Sequence, residues 1–237
     1  MEQLLEQINL LKKNLASIEP YAKNCVKLER FMPCRAFFPG GDGLWNPGRP
    51  SKPIRVLFLG SDFNNEENYD AEFKKPESEM RDSPKTWSGL ETLIKQVGIA
   101  PEECFFTNAW PCLRKGNLRN AGDPPGAKDL EFTSRCRDFL RLTLDVLRPR
   151  YVISLGTWPT MFLSGFVPDA MKNWNIAKWS SIDATDRFTL VLNGQQVTFI
   201  PAIHPSLPNH RYRLVHKTAS AEADHIRNIV AKSEDKF

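Results

Sequence analysis

Three short apolar runs punctuate the chain: VLFLG at 56–60, CFFTN at 104–108 and YVISLG at 151–156. Runs of this length, bounded by turn residues, are strands buried on both faces, and such strands belong to sheets covered by helices on both sides. The stretches between them carry the complementary pattern. TWSGLETLIKQVGI sets Leu90, Leu93, Ile94 and Val97 on one helical face, and DLEFTSRCRDFLRLTLDVL, 129–147, forms a longer helix stopped at Arg148-Pro149. Strands alternating with helices demand a parallel sheet. A further segment, TLVLNGQQVTFIPAI, turns at Asn193-Gly194, the strongest two-residue hairpin signal. The expectation is a three-layer α/β/α sandwich around a central, mainly parallel four-stranded sheet whose first strand spans 54–59.

Outside the sheet, residues 2–17 and about 20–31 carry Leu, Ile and Val at helical spacing, and a Pro- and Gly-rich segment at 34–53 precedes the first strand. A last helix is expected over about 214–231. The 237 residues show no repeat and no low-complexity linker, so one domain is expected over 1–237, with an N-terminal helical segment at 1–32 and a core at 54–233. No apolar run approaches the ~18 residues of a membrane span. The start, MEQLLEQINLLKKNL, is too charged for a signal peptide or an anchor. A cytoplasmic monomer without a membrane partner is expected. The five cysteines include no C-x-x-C pair, which fits a reducing compartment and makes a poor zinc signal; Cys104, inside an apolar run, is expected in the core. His204, His210 and His216 stand six residues apart, which suits neither one helical face nor a usual zinc spacing.

The ends of the strands carry the chemistry. The first runs directly into Gly60-Ser61-Asp62-Phe63-Asn64, the second into Thr107-Asn108, and the second arm of the hairpin into Ile203-His204-Pro205-Ser206. In an open α/β sheet ligands bind beyond the carboxyl ends of the strands, and all three tips should lie on that one edge. Asp62 or Asn64 could instead serve as a helix N-cap. Two segments are basic without any acid: PCLRKGNLRN, with Arg114, Lys115 and Arg119, and RYRLVHK, with Arg211, Arg213 and Lys217. Such clusters are solvated surface unless they flank one site, in which case they suit a polyanion.

Taken in order, these segments resemble the uracil-DNA glycosylase superfamily across residues 54–213. GSDFN (60–64) resembles its first motif, G-Q-D-P-Y in the main branch. SGLETLIKQVGIAPEECFFTNAWPC (88–112) is similar to the G-x-L-L-x-x-L-L block and T-N-V-V-K-C strand of the iron–sulfur branch. LRPRYVISLG (147–156) matches that branch's L-x-P-K-x-I-V-A-L-G, and FIPAIHPSLPNHRYR (199–213) resembles the closing H-P-S loop. The resemblance implies a monofunctional DNA glycosylase that hydrolyses the N-glycosidic bond of a flipped-out uracil-type or 5-modified pyrimidine. Two other readings stand beside it: a defence enzyme removing a bulky modified base from phage DNA, and a catalytically silent nucleic-acid-binding member of the fold.

Residue by residue, the resemblance implies the following roles. Asp62 would be the carboxylate that stabilises an oxocarbenium-like sugar and orients water, a logic shared with glycoside hydrolysis. His204 would donate to the departing base oxygen as an oxyanion-hole donor does. Asn108 would read the pyrimidine edge with its amide, which offers both a donor and an acceptor. Gly60, Ser61, Phe63, Asn64 and Trp87 would line the base pocket, with Phe63, Trp87 and Trp110 all candidates to stack on the base. The loop after His204 would enter the minor groove, with Leu207 as an apolar wedge and Ser206, Arg211 and Arg213 on phosphates. Two departures matter. The iron–sulfur branch has glutamate where Ser61 stands here, and the main branch has a pocket-closing tyrosine where Asn64 stands, which should open the pocket toward a 5-substituent. Cys112 and Cys136 fall where the iron–sulfur branch places its third and fourth ligands, but at a longer interval. Cys25 and Cys34 lack the close spacing of the first two. No cofactor is therefore expected; a 4Fe-4S cluster on Cys25, Cys34, Cys112 and Cys136 is the alternative.

Overall fold

The computed structural model describes residues 2–27, 53–63, 65–73, 85–118, 122–166, 178–183, 187–207 and 214–232. Five strands form one sheet: β2 (Val56–Asp62), β3 (Cys104–Trp110), β5 (Tyr151–Leu155), β6 (Phe188–Leu192) and β7 (Gln195–Ala202), in the order β3-β2-β5-β7-β6. Within this sheet the pairs β2·β3, β2·β5 and β5·β7 are parallel and β6·β7 is antiparallel. The expected sandwich is present, with β6 as a fifth, edge strand. Its hairpin turns at Asn193 and Gly194, both at positive φ (45° and 77°), the twist that a two-residue primed turn needs.

Alternation along the central strands builds the two outer layers. Leu57, Leu59 and Phe105 face a core shared with helix α4 (Leu130–Leu147), whereas Val56, Phe58, Cys104 and Phe106 face helices α3 (Lys85–Val97) and α7 (Ala219–Lys232). Register sets Phe58 opposite Phe106, and their rings stack with centroids 5.2 Å apart. Cys104 packs in this second core, as its apolar run implied. Asp129 caps α4 by accepting from the Phe132 N–H at 2.9 Å, and Arg148 ends it in the left-handed conformation ahead of Pro149.

The N-terminal segment packs into the same core. Helix α1 (Glu2–Asn14) continues into a 3-10 turn, Leu15–Ile18, and Leu11, Leu15 and Ile18 are buried against α4. Arg135 on α4 donates to the carbonyls of Ile18 and Pro20 at 3.1 and 2.6 Å. The helix expected over about 20–31 is not formed across 20–27. Pro20 breaks the ladder, Asn24 takes φ 67°, and β1 (Cys25–Val26) pairs antiparallel with β4 (Leu113–Arg114). Residues 28–31 lie outside the described residues. The last helix also starts later than its pattern suggests, at Ala219, where the Thr218 hydroxyl caps the Ala221 N–H. Among the described residues no helix is long and apolar enough to cross a membrane.

Candidate active site

Parallel pairing brings the carboxyl ends of β2, β3, β5 and β7 to one edge, so the three polar tips converge as expected. Register places Gly60 opposite Asn108 and Asp62 opposite Trp110. The second strand is longer than CFFTN, and Asn108 lies two residues before its end. Its amide rests over the strand beside it: a Cβ on Gly60 would meet Asn108 Oδ1 at 2.2 Å. Any side chain at position 60 would displace that amide. Asn108 is buried, and its Nδ2 has no hydrogen-bond partner. A buried, unpaired donor costs about 1–3 kcal/mol, a cost a bound acceptor would relieve.

Asp62 does not stand alone. Arg114, from β4, grips it with two charge-assisted hydrogen bonds, Nε to Oδ1 at 3.1 Å and an Nη to Oδ2 at 2.8 Å. Both side chains are nearly dry, at 6% and 5% exposure. Burial pushes the Asp62 carboxyl above its ordinary range; the Arg114 hydrogen bonds and charge, and a weaker Ser61 hydroxyl contact at 3.4 Å, act to lower it. In the sequence Arg114 belongs to a basic surface cluster. In the structure it points inward, Lys115 beside it is exposed, and Arg119 lies outside the described residues.

Across the edge, β5 ends in Gly156 at φ 98°, whose N–H donates to the Ala202 carbonyl of β7 at 2.8 Å. His204 follows β7, with its Cβ 3.5 Å from where a Gly156 Cβ would stand. Two strand spacings, about 10 Å, separate β2, which carries Asp62, from β7, which leads into His204, and a third sets Asn108 on β3 about 14 Å away, with the bare Gly156 after β5 between them. The His204 ring is oriented by its own loop: Nδ1 lies 2.8 Å from the Ser206 hydroxyl and receives the Ser206 backbone N–H at 3.3 Å. A backbone N–H can only donate, so Nδ1 holds a lone pair and the neutral ring carries its proton on Nε2. Burial lowers the His204 pKa to about 4, which keeps the ring neutral near pH 7.

Two residues that support this loop escape a sequence reading. Glu222, buried in the first turn of α7, accepts from the Ile203 N–H at 2.8 Å and fixes the backbone just before His204. Gly89 of α3 lets the helix press on the loop: a Cβ there would meet Pro205 Cβ and carbonyl oxygen, each at 2.8 Å. Glu222 follows Thr218 as an ordinary helix-start acid would, which hides its role. Gly89 is visible only as a glycine inside a helical pattern.

The remaining candidates separate clearly. Trp110 is 1% exposed, packs edge-on against Phe162 and donates from Nε1 to Thr133 Oγ1 at 3.0 Å, so it is core and not a base platform. Phe63 is buried in a small cluster with Tyr69 and Leu113 next to the site. The Ser206 hydroxyl, engaged with His204 Nδ1, has no second proton to give a phosphate oxygen. Leu207 is half-buried, and its N–H donates to the His204 carbonyl at 2.9 Å. Asn64, Arg211, Arg213 and the side chain of Trp87 lie outside the described residues.

Cys25, Cys112 and Cys136 come together in the core beside Tyr21, with Cys25 and Cys112 hydrogen-bonded. That hydrogen bond and burial push the Cys112 thiol well up, and burial does the same to Cys136. An iron–sulfur cluster needs four thiolates. Cys34 lies outside the described residues, and among those described no group of three or more His, Cys, Asp or Glu side chains is arranged to hold a metal ion.

Comparison with known proteins gives this fold a family. The family model of the uracil DNA glycosylase superfamily matches residues 50–230. No curated protein matches the chain. The chain belongs to the uracil DNA glycosylase superfamily, and membership supports a DNA-glycosylase type of activity with DNA as substrate.

Proposed function

We propose that this member of the superfamily is a monofunctional DNA glycosylase acting on a flipped-out pyrimidine, either uracil or a base substituted at the 5-position. The observation that carries the reading is the His204 ring. A neutral imidazole with Nδ1 occupied by Ser206 has one proton left, on Nε2, at the same sheet edge as Asp62 and the unpaired Asn108 amide.

Each group then has one task. The bond between C1′ and the base nitrogen breaks with its electron pair on the base. Nε2–H of His204 donates to the base oxygen where that charge collects, without giving up its proton. The Asp62 carboxylate faces the cationic sugar and orients the water whose oxygen bonds to C1′, and that water's proton leaves toward the carboxylate. Asn108 Nδ2 supplies a donor to an acceptor on the base edge. No step requires a resident cofactor. Extrusion of the nucleotide is left to the loop after His204, with Leu207 as wedge and Arg211 and Arg213 on the phosphates. Asn64, where the main branch carries tyrosine, leaves room for a substituent and offers an amide to a hydroxyl on it.

The Asp62–Arg114 pair favours a second reading, a silent DNA-binding member, because a neutralised carboxylate stabilises a cation less than a free one. Single-turnover kinetics separate the two. Asp62→Asn and His204→Ala should each slow base release on the order of 10²-fold or more while DNA affinity is kept. Wild-type rates in both variants would refute the assignment, and a wild type that releases no base would favour the silent reading.

A further inference from the structure

Arg114 is held as an active-site part is held. Its backbone is fixed from two sides, by pairing with Cys25 on β1 and by a bridge to Asn65, two residues after the first motif's Phe63. The loop beyond it is latched at three points: Asn65 Nδ2 donates to the Leu118 carbonyl at 3.0 Å, Glu66 Oε2 accepts the Gly116 N–H at 2.6 Å, and the Lys115 N–H donates to the Asn24 carbonyl at 3.0 Å. The guanidinium so aimed is dry and meets both oxygens of Asp62. A desolvated ion pair of this kind adds little stability over a well-packed apolar pair of similar volume. Stability alone therefore does not account for it.

We propose that Arg114 is a positioning residue for the glycosylase reaction, holding the Asp62 carboxylate charged and in one orientation at the tip of β2. The inference rests on the reading of Asp62 given above. A carboxylate has about four lone-pair sites, and the planar fork of Arg114 takes one on each oxygen. The two that remain, one of them within weak reach of the Ser61 hydroxyl, point in directions fixed by the fork. Asp62 then acts chiefly by orienting water and less by free negative charge, since its charge is shared with Arg114. The brace includes β1, which lies outside residues 50–230 that match the superfamily, so the N-terminal segment is part of the active-site support.

The test is a kinetic cycle on the full chain with Asp62→Asn, Arg114→Gln, Arg114→Lys and the Asp62→Asn/Arg114→Gln double variant, under single-turnover and steady-state conditions. Arg114→Gln should lower kcat on the order of 10²-fold with KM within about threefold, the pattern of a misplaced reacting group and not of lost DNA binding. Arg114→Lys, which keeps the charge but not the fork, should recover part of that loss. On the Asp62→Asn background, Arg114→Gln should cost less than about threefold further, because its effect runs through the carboxylate. Should Arg114→Gln not fold, Arg114→Lys carries the test, with reduced kcat and unchanged KM expected and wild-type kcat refuting the proposal. A loss that multiplies in full on the Asp62→Asn background, or one that falls on KM alone, would overturn the positioning role. A wild-type rate for Asp62→Asn alone would instead overturn the underlying assignment of Asp62.

Discussion

Replacing His204 with Gln removes a ring that the folded protein keeps neutral by burying it, and the consequence can be followed as stability against pH. The folded-state pKa of His204 is about 4, lowered by burial from the ordinary 6.5. Well above pH 6.5, near pH 8, the ring is neutral in both folded and unfolded chains and adds no pH dependence. Between 6.5 and 4 the unfolded chain binds a proton that the folded one refuses, so stability falls as pH falls. Integrating over that window gives a loss of about 2 kcal/mol at pH 5 and about 3 kcal/mol at pH 4 relative to pH 8. Other groups titrate over the same range, so the quantity to measure is the difference between wild type and His204→Gln. Urea unfolding at pH 8, 6, 5 and 4 should show the two profiles converging toward acid, the wild type losing the extra amount. Protonation of the folded ring would also force Nδ1 to carry a proton facing the Ser206 N–H, so base release should persist through pH 5 and fail as pH falls to about 4. Parallel stability profiles, or an NMR titration of the His204 ring near 6.5, would refute the argument that this ring is held neutral by burial.

Three further outcomes follow from particular contacts. Gly60→Ala sets a Cβ 2.2 Å from the end of the Asn108 amide, a group able to swing away, so the melting temperature should shift by only a few degrees while kcat/KM falls at least about tenfold; unchanged kcat/KM would show that Asn108 does not read the base. Gly89→Ala drives against the Pro205 backbone, which cannot swing, and should cost on the order of 1–3 kcal/mol of stability together with kcat; a variant as stable and active as wild type would place the His204 loop away from α3. Protein purified without oxygen should be colourless and free of iron and sulfide; a brown sample that bleaches on changing Cys112 or Cys136 to Ser would contradict the cofactor-free account.

What the sequence discloses here is what periodicity and order can carry. The apolar runs at 56–59, 104–106 and 151–155 declare buried strands, and parallel pairing obliges their ends to share an edge, so the sequence alone puts Asp62, Asn108 and His204 on one edge. Contacts made by single side chains across long separations are not written in that pattern. Arg114 grips Asp62 across 52 residues of chain and looked like surface because its neighbours are basic. Trp110 follows the second strand's polar tip and could be read as a base platform or as core; the structure packs it in the α4-side core, opposite to the face that alternation from Cys104 and Phe106 would give it. Residues 20–27 had helical spacing, yet a strand of two residues needs only a partner, and that partner, β4, lies almost 90 residues on. The glycines at 60 and 89 matter through what presses on them, which composition cannot report.

Release of a free base from DNA tests the central claim most directly. Purified protein would be incubated with oligonucleotide duplexes and single strands carrying uracil, a hydroxymethylated pyrimidine or a glycosylated one, and the released base identified by mass, with alkaline strand cleavage marking the abasic site. The account predicts a free 5-substituted pyrimidine at a rate equal to or above that of uracil, abolished by Asp62→Asn and His204→Ala. No released base from any substrate, or uracil excised efficiently while every 5-substituted base is refused, would contradict it.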